Sequence, residues 1–188
     1  NRRWSGEVLS ELGINGDMMP EAFESPFLSG EVSTQSASLT GLRRGTPVAG
    51  GGGDQAAGAV GNGIVRDGLV SCTIGTSGVV FASCEGPLID PEARLHSFCH
   101  AAPGKWHVMG VMLSAGGSLR WFRDTLGGEE VALAKERGVD PYVILADELA
   151  PRAEPGCEGL IFLPYLMGER TPYPNPNAKG VLFGLTLR

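Results

Sequence analysis

Apolar and polar positions along the chain follow two rhythms. Residues 4–14 (WSGEVLSELGI) put Val8, Leu9 and Leu12 on one face at helical spacing, with Ser5 placed to cap the first turn. No strand precedes this helix, so the sequence is read as starting inside a domain. Pro20 and the segment through Pro26 interrupt the pattern, and residues 30–34 are expected to form a short edge strand. Residues 36–42 predict a second helix, ended by Arg43 and Arg44 with Gly45 beyond. Those two cations suit the negative end of a helix dipole, with phosphate contact as the alternative. Residues 47–49 form a short apolar strand that runs into Gly50, Gly51, Gly52 and Gly53 and then a helix opened by Asp54 and Gln55.

A turn at Asp67-Gly68 follows, taken as a domain boundary, and residues 69–83 are two β-rich runs joined at Gly75-Thr76-Ser77-Gly78. Further β-rich segments cover residues 95–101 and 106–113. Residues 118–126 predict a helix with Leu119, Phe122 and Leu126 on its apolar face and Trp121 in the core beside it. A polar surface helix within residues 127–138 and another at 141–149 lead to a loop marked by Pro151, Pro155 and Gly156. The unbroken apolar run 159–166 predicts a buried strand.

Composition narrows the function classes. A hydrophobic share of 42% with 19% charged residues describes a globular chain, and 29 glycines among 188 residues, with no repeat, must be concentrated in loops. The net charge of −6 provides no basic stripe to release counterions, which argues against nucleic acid as a partner. No apolar run approaches the roughly 20 residues that span a bilayer, and no signal peptide is evident, so cytoplasm is the default expectation. Cys72, Cys84, Cys99 and Cys157 contain no C-x-x-C pair and are read as reduced core thiols. His96, Cys99 and His100 are donor types for zinc, but strand-like alternation and the lack of a fourth ligand weigh against a metal site.

Candidate chemistry begins at the glycine run. Ordering consecutive glycines is costly, so something must approach that backbone closely. Asp54 stands where a helix has free N–H groups and the positive end of its dipole, which keeps a carboxylate ionised and aims it out of the strand end. A plain N-cap is the alternative. Gly51, Gly53 and Ala56 also fit G-x-G-x-x-A of dinucleotide sites, but Asp54 would oppose a pyrophosphate and no acid lies about 20 positions on. The small residues Ala56, Ala57, Gly58, Ala59 and Gly61 allow close packing or ligand access alike. The Gly75-Thr76-Ser77-Gly78 turn offers successive N–H groups and two hydroxyls, the makings of an anion nest. A serine-hydrolase elbow fails there, because G-x-S-x-G would need glycine at Val79. Glu169 and Arg170 are expected to form an ion pair bracing a cleft.

GGGDQAAGAVGNGI from Gly51, GTSGVVFA from Gly75, AGGSLRWFRD from Ala115 and GERTPYPNPNAKGVLFGL from Gly168 occur in this order. Together they resemble the FGGY family of carbohydrate kinases, most closely its xylulokinase branch, over nearly the whole chain. The resemblance implies an α/β fold of the actin-like ATPase (ribonuclease H-like) kind with two domains. Residues 1–68 would end the N-terminal, sugar-binding domain and 69–188 would begin the C-terminal, nucleotide-binding one. It implies ATP and Mg²⁺ as cofactors and a small-molecule sugar as substrate, with the metal ligands unassigned; a homodimer is the candidate assembly, on which the sequence itself is silent. Asp54 would be the general base and Gln55 a sugar contact. Gly75, Thr76, Ser77, Gly78, Gly116, Gly117 and Arg120 would bind nucleotide, although glycerol kinases carry glutamine at the position of Arg120. The implied reaction moves the ATP γ-phosphoryl group to a ketose hydroxyl, D-xylulose first. Ribulose, gluconate or glycerol is the alternative acceptor, and a non-catalytic fragment the alternative class. The family's N-terminal phosphate loop, most of its sugar-binding residues and its later adenosine loop have no counterpart in these residues.

Overall fold

The computed structural model describes residues 2–187. Helix α1 (Gly6–Glu11) starts where Ser5 accepts a hydrogen bond from the Val8 N–H, as its sequence position predicts, but it is shorter than residues 4–14. Its apolar side is uncovered: Val8 and Leu12 are both more than half exposed. Strand β1 (Leu28–Glu31) begins earlier than expected and pairs antiparallel with β2 (Pro47–Ala49), with a bulge between Leu28 and Gly30. Between them α2 (Thr34–Thr40) is shifted towards the N-terminus of its predicted span. Ser33 caps the Ser36 N–H and Gly41 ends the helix in the left-handed region at φ 75°, so Arg43 and Arg44 fall in the following turn rather than in the last helical turn.

Helix α3 (Asp54–Gly61) follows the glycine run. Then come β3 (Val70–Ile74), β4 (Gly78–Cys84), β5 (His96–Cys99) and β6 (Trp106–Met112), hydrogen-bonded in the order β3-β4-β6-β5. The inner strands carry the buried side chains: Val79, Phe81 and Ser83 alternate along β4, and His107 and Val111 lie on β6. The edge strands carry Cys72 and Cys99, which explains why these thiols are exposed. Cys157 is exposed in its loop, and Cys84 on β4 is the buried one of the four. All four are free.

Helix α4 (Gly116–Thr125) is followed by α5 (Gly128–Arg137), which ends at left-handed Gly138 and buries Ala134. Residues Val143–Leu149 wind as a π turn with Ile144 and Leu145 buried. Strands β7 (Ile161–Leu163) and β8 (Val181–Phe183) pair antiparallel as a two-stranded ribbon. The apolar run expected to be a buried strand is instead exposed along all of β7. The predicted apolar face of α4 is likewise open, with Leu119, Phe122 and Leu126 each at least 40% exposed, and Trp121 stacks on Phe162 at 6.2 Å.

By compactness the chain divides into two units. The first holds residues 1–71, 81–89 and 97–108, with its core at Val32, Ala56, Ala59, Phe81, Cys84, His100 and His107. The second holds residues 72–80, 90–96 and 109–188, with its core at Val79, Val111, Ala134, Ile144 and Leu145. Among the described residues no helix is long and apolar enough to cross a membrane.

Candidate active site

In the first unit the glycine run is shaped by residues 24–27. Gly50 N–H donates to the Phe27 carbonyl and Gly51 N–H to the Ser25 carbonyl, both at 3.0 Å. Gly51 adopts φ 78°, which favours glycine. A Cβ at Gly52 would come within 3.0 Å of the Ala101 Cβ and 3.3 Å of the Ser25 Oγ. At Gly53 a Cβ would meet nothing within 4 Å. Gly53 is the N-cap and offers no side chain, so Asp54 occupies the first helical position rather than the cap. Its Oδ1 accepts from the Gln55 N–H at 2.8 Å, the carboxylate is exposed, and no ion pair engages it among the described residues. Gln55 is half-buried beside it. Buried Ala56 and Ala59 explain the small residues of α3 by packing.

The far end of α3 is tied down by His100. The ring Nδ1 accepts from the Ala102 N–H at 2.9 Å, which leaves Nε2–H to donate to the Ile64 carbonyl at 2.9 Å. Phe81 packs edge-on to His100 and is stacked on His107 at 4.3 Å. Burial, and secondarily the neighbouring His100, push the His107 imidazole down to about 4. Among the described residues no three His, Cys, Asp or Glu side chains converge as a metal site.

In the second unit the Gly75-Thr76-Ser77-Gly78 turn closes on itself through the Gly75 N–H and the Ser77 carbonyl at 2.8 Å. It is then clasped by the start of α4. Ala115 N–H and Gly117 N–H both donate to the Thr76 carbonyl, at 2.9 and 3.0 Å, and Gly116 N–H donates to the Gly75 carbonyl at 2.9 Å. Helix-terminal N–H groups with no partner inside the helix are thus satisfied by the turn. The clasp demands glycine. A Cβ at Gly116 would stand 2.6 Å from the Gly75 oxygen, and one at Gly117 would stand 2.9 Å from the Thr76 oxygen. Arg120, one helical turn on, reaches the exposed Thr76 hydroxyl with a guanidinium nitrogen at 3.5 Å. Gly75, Thr76, Gly116, Gly117 and Arg120, all singled out from sequence, are therefore brought together. Sequence reading gave no role to Ser114, although the buried Ser118 Oγ bonds both its carbonyl at 2.8 Å and its hydroxyl at 3.0 Å. The serine spacing of one helical turn was the available signal.

Glu169 and Arg170 form no ion pair among the described residues. Glu169 is buried and its Oε1 accepts from two backbone donors, the Leu113 N–H at 3.1 Å and the Arg170 N–H at 2.7 Å. Its side-chain oxygen finds its hydrogen bonds in the main chain, while Arg170 remains exposed.

The sequence pattern of the FGGY family of carbohydrate kinases, C-terminal domain, matches residues 70–188, and that of the family's N-terminal domain matches residues 1–61. A xylulose kinase from Escherichia coli (strain K12) is 44% identical over 98% of this chain and 36% of its own length. The xylulose kinase structure from Rhodospirillum rubrum superposes with TM-score 0.81 at 32% identity, covering 97% of this chain and 35% of that one. The gluconate kinase structure from Lactobacillus acidophilus gives TM-score 0.84 at 27% identity, covering 98% of this chain and 35% of that one. The chain thus spans about a third of the length of the relatives it matches. It shares their α/β, actin-like ATPase fold.

Proposed function

The chain belongs to the FGGY family of carbohydrate kinases, and from that premise we propose that the full-length protein transfers the ATP γ-phosphoryl group to a ketose hydroxyl, with D-xylulose as acceptor. The observation that carries this reading is the exposed Asp54 carboxylate on the first turn of α3, engaged by no ion pair among the described residues and preceded by Gly53, beside which an added Cβ would meet nothing within 4 Å. Asp54 acts as general base. It accepts the sugar hydroxyl proton late, because phosphoryl transfer runs through a loose transition state. Positioning therefore outweighs basicity, and a well-placed base contributes roughly 10²–10⁴ in rate. Gln55, adjacent and half-buried, orients the sugar.

At the donor end Thr76 and Ser77 offer hydroxyls to the phosphates, with Gly75 and Gly78 allowing close backbone approach. Gly116 and Gly117 keep that turn seated, and Arg120 adds positive charge beside Thr76. Mg²⁺, when bound with ATP, neutralises phosphate charge. Phosphate oxygens and water can fill most of its coordination shell, so it requires no dedicated cage of protein side chains. Residues 1–68 belong to the sugar-binding domain and 69–188 to the nucleotide-binding one, in a cytoplasmic enzyme.

Gluconate is the second acceptor to consider, because the gluconate kinase structure superposes as well as the xylulose kinase one does. A coupled ADP-release assay on the full-length protein across D-xylulose, D-ribulose, gluconate and glycerol separates these readings. D-xylulose is expected to give the highest kcat/KM. ADP release with none of the sugars would overturn the kinase assignment.

A further inference from the structure

Glu169 is about 4% exposed, and its Oε2 is buried with no hydrogen-bond partner among the described residues. Burying a carboxylate with one oxygen unpaired is costly. The acid is therefore held for what its other oxygen does. That oxygen, Oε1, accepts from the Leu113 N–H, just past the end of β6, and from the Arg170 N–H. The Glu169 backbone is fixed in turn by reciprocal bonds with Asn175, at 2.9 Å from its N–H and 3.0 Å to its carbonyl. Its surroundings leave it one seat. A Cβ on Gly168 would fall 2.6 Å from the Pro176 carbonyl oxygen, and one on Gly110 would fall 2.9 Å from the Thr171 Cγ2, so the 168–176 loop lies tight on itself and on β6.

Leu113 is separated from Ala115 only by Ser114, whose hydroxyl and carbonyl both receive the Ser118 Oγ. Ala115, Gly116 and Gly117 then supply the three N–H groups that clasp the Thr76 turn. Resting on the kinase reading above, we propose that Glu169 is a positioning residue for nucleotide: it locks the exit of β6 and so sets where the α4 clasp holds the Gly75–Gly78 turn. It touches neither substrate and works through Leu113. A misplacement of about 1 Å transmitted to a site can cost up to roughly 100-fold, so a tenfold effect on ATP is within reach of one lost anchor.

The test uses the full-length protein, with ATP affinity measured by calorimetry and KM for ATP and for D-xylulose measured separately. Glu169→Ala should weaken ATP about tenfold while the sugar KM changes less than about twofold. Glu169→Gln keeps an oxygen for both N–H groups and should stay within about threefold of wild type for ATP. Glu169→Asp folds under milder demands but is one methylene short, so it should show the same ATP-selective loss as alanine. Equal losses for ATP and sugar, glutamine as damaging as alanine, or unchanged ATP affinity in both the alanine and aspartate variants would overturn the assignment. Wild-type protein that binds no ATP would sink the kinase reading and this assignment with it. Wild-type binding with Glu169→Ala and Glu169→Asp unaffected would sink this assignment alone.

Discussion

At Gly116 an added Cβ would stand 2.6 Å from the Gly75 carbonyl oxygen, whereas at Gly53 it would meet nothing within 4 Å. Both glycines stand at the start of a helix, yet the space beside one is filled by the protein's own backbone and the space beside the other is open. In the α4 clasp, helix-start N–H groups are spent on the carbonyls of the Thr76 turn, so glycine serves rigidity. In the run before Asp54, Gly51 answers a backbone angle and Gly52 a close neighbour, but the last glycine serves neither. A turn locked by its own chain suits a group that must hold polyphosphate in one geometry. A turn left open suits a carboxylate that must admit a substrate hydroxyl.

Substitutions sharpen that contrast. Gly116→Ala forces the clasp apart and should cost about 3 kcal/mol, seen as a large fall in Tm together with weakened ATP binding. Unchanged Tm would mean the clasp is not tight.

Acid should act on the other region. His107 is buried and its pKa is pushed down to about 4, below the ordinary 6.5 it takes when unfolded. Between those values the unfolded chain binds more protons than the folded one, so this contribution is complete above pH 6.5 and is lost as pH falls towards 4. With each pH unit worth up to about 1.4 kcal/mol, the loss over this window is at most about 3.5 kcal/mol, and solvent screening reduces it to of order 2 kcal/mol. His107→Phe, which keeps the ring stacked on Phe81, should flatten the pH dependence of Tm in that window. The effect should loosen the His100 anchor at the end of α3 before the α4 clasp, which hydrogen exchange would resolve.

The smallest effects compare two neighbours. Gly51→Ala places a side chain at φ 78° and should cost about 1 kcal/mol. Gly53→Ala has both room and an ordinary backbone angle and should change stability by less than about 0.5 kcal/mol. If Gly53→Ala nevertheless reduces sugar turnover at unchanged Tm, the open space there is used by substrate.

What could be read from the sequence follows from how local each cause is. The strand at residues 47–49, the glycine run, α3 and the two runs around the Thr76 turn depend on neighbours in sequence and lie where the pattern puts them. Helix ends lie where capping residues set them, Ser33 through its hydroxyl and Gly41 through its left-handed backbone on α2, rather than where apolar spacing alone puts them. The apolar run at Ile161–Leu163 signals a demand for cover without saying what covers it, and the ribbon with Val181–Phe183 leaves it exposed. The same holds for Leu119 and Phe122 on α4. The partner of Glu169 was illegible for a different reason: a backbone N–H 56 positions away leaves no mark in side-chain chemistry, whereas Arg170 next to it suggested an ion pair. Thr76 and Arg120 were each picked from motif, but their approach depends on the clasp.

The central claim is a division of labour between the open turn and the locked one, and Asp54→Asn in the full-length protein tests it most directly when turnover and ATP affinity are measured on the same preparation. The account predicts that turnover with D-xylulose falls by roughly 10²–10⁴ while the ATP Kd stays within about threefold of wild type. Near-normal turnover, or ATP affinity lost in step with turnover, would contradict it.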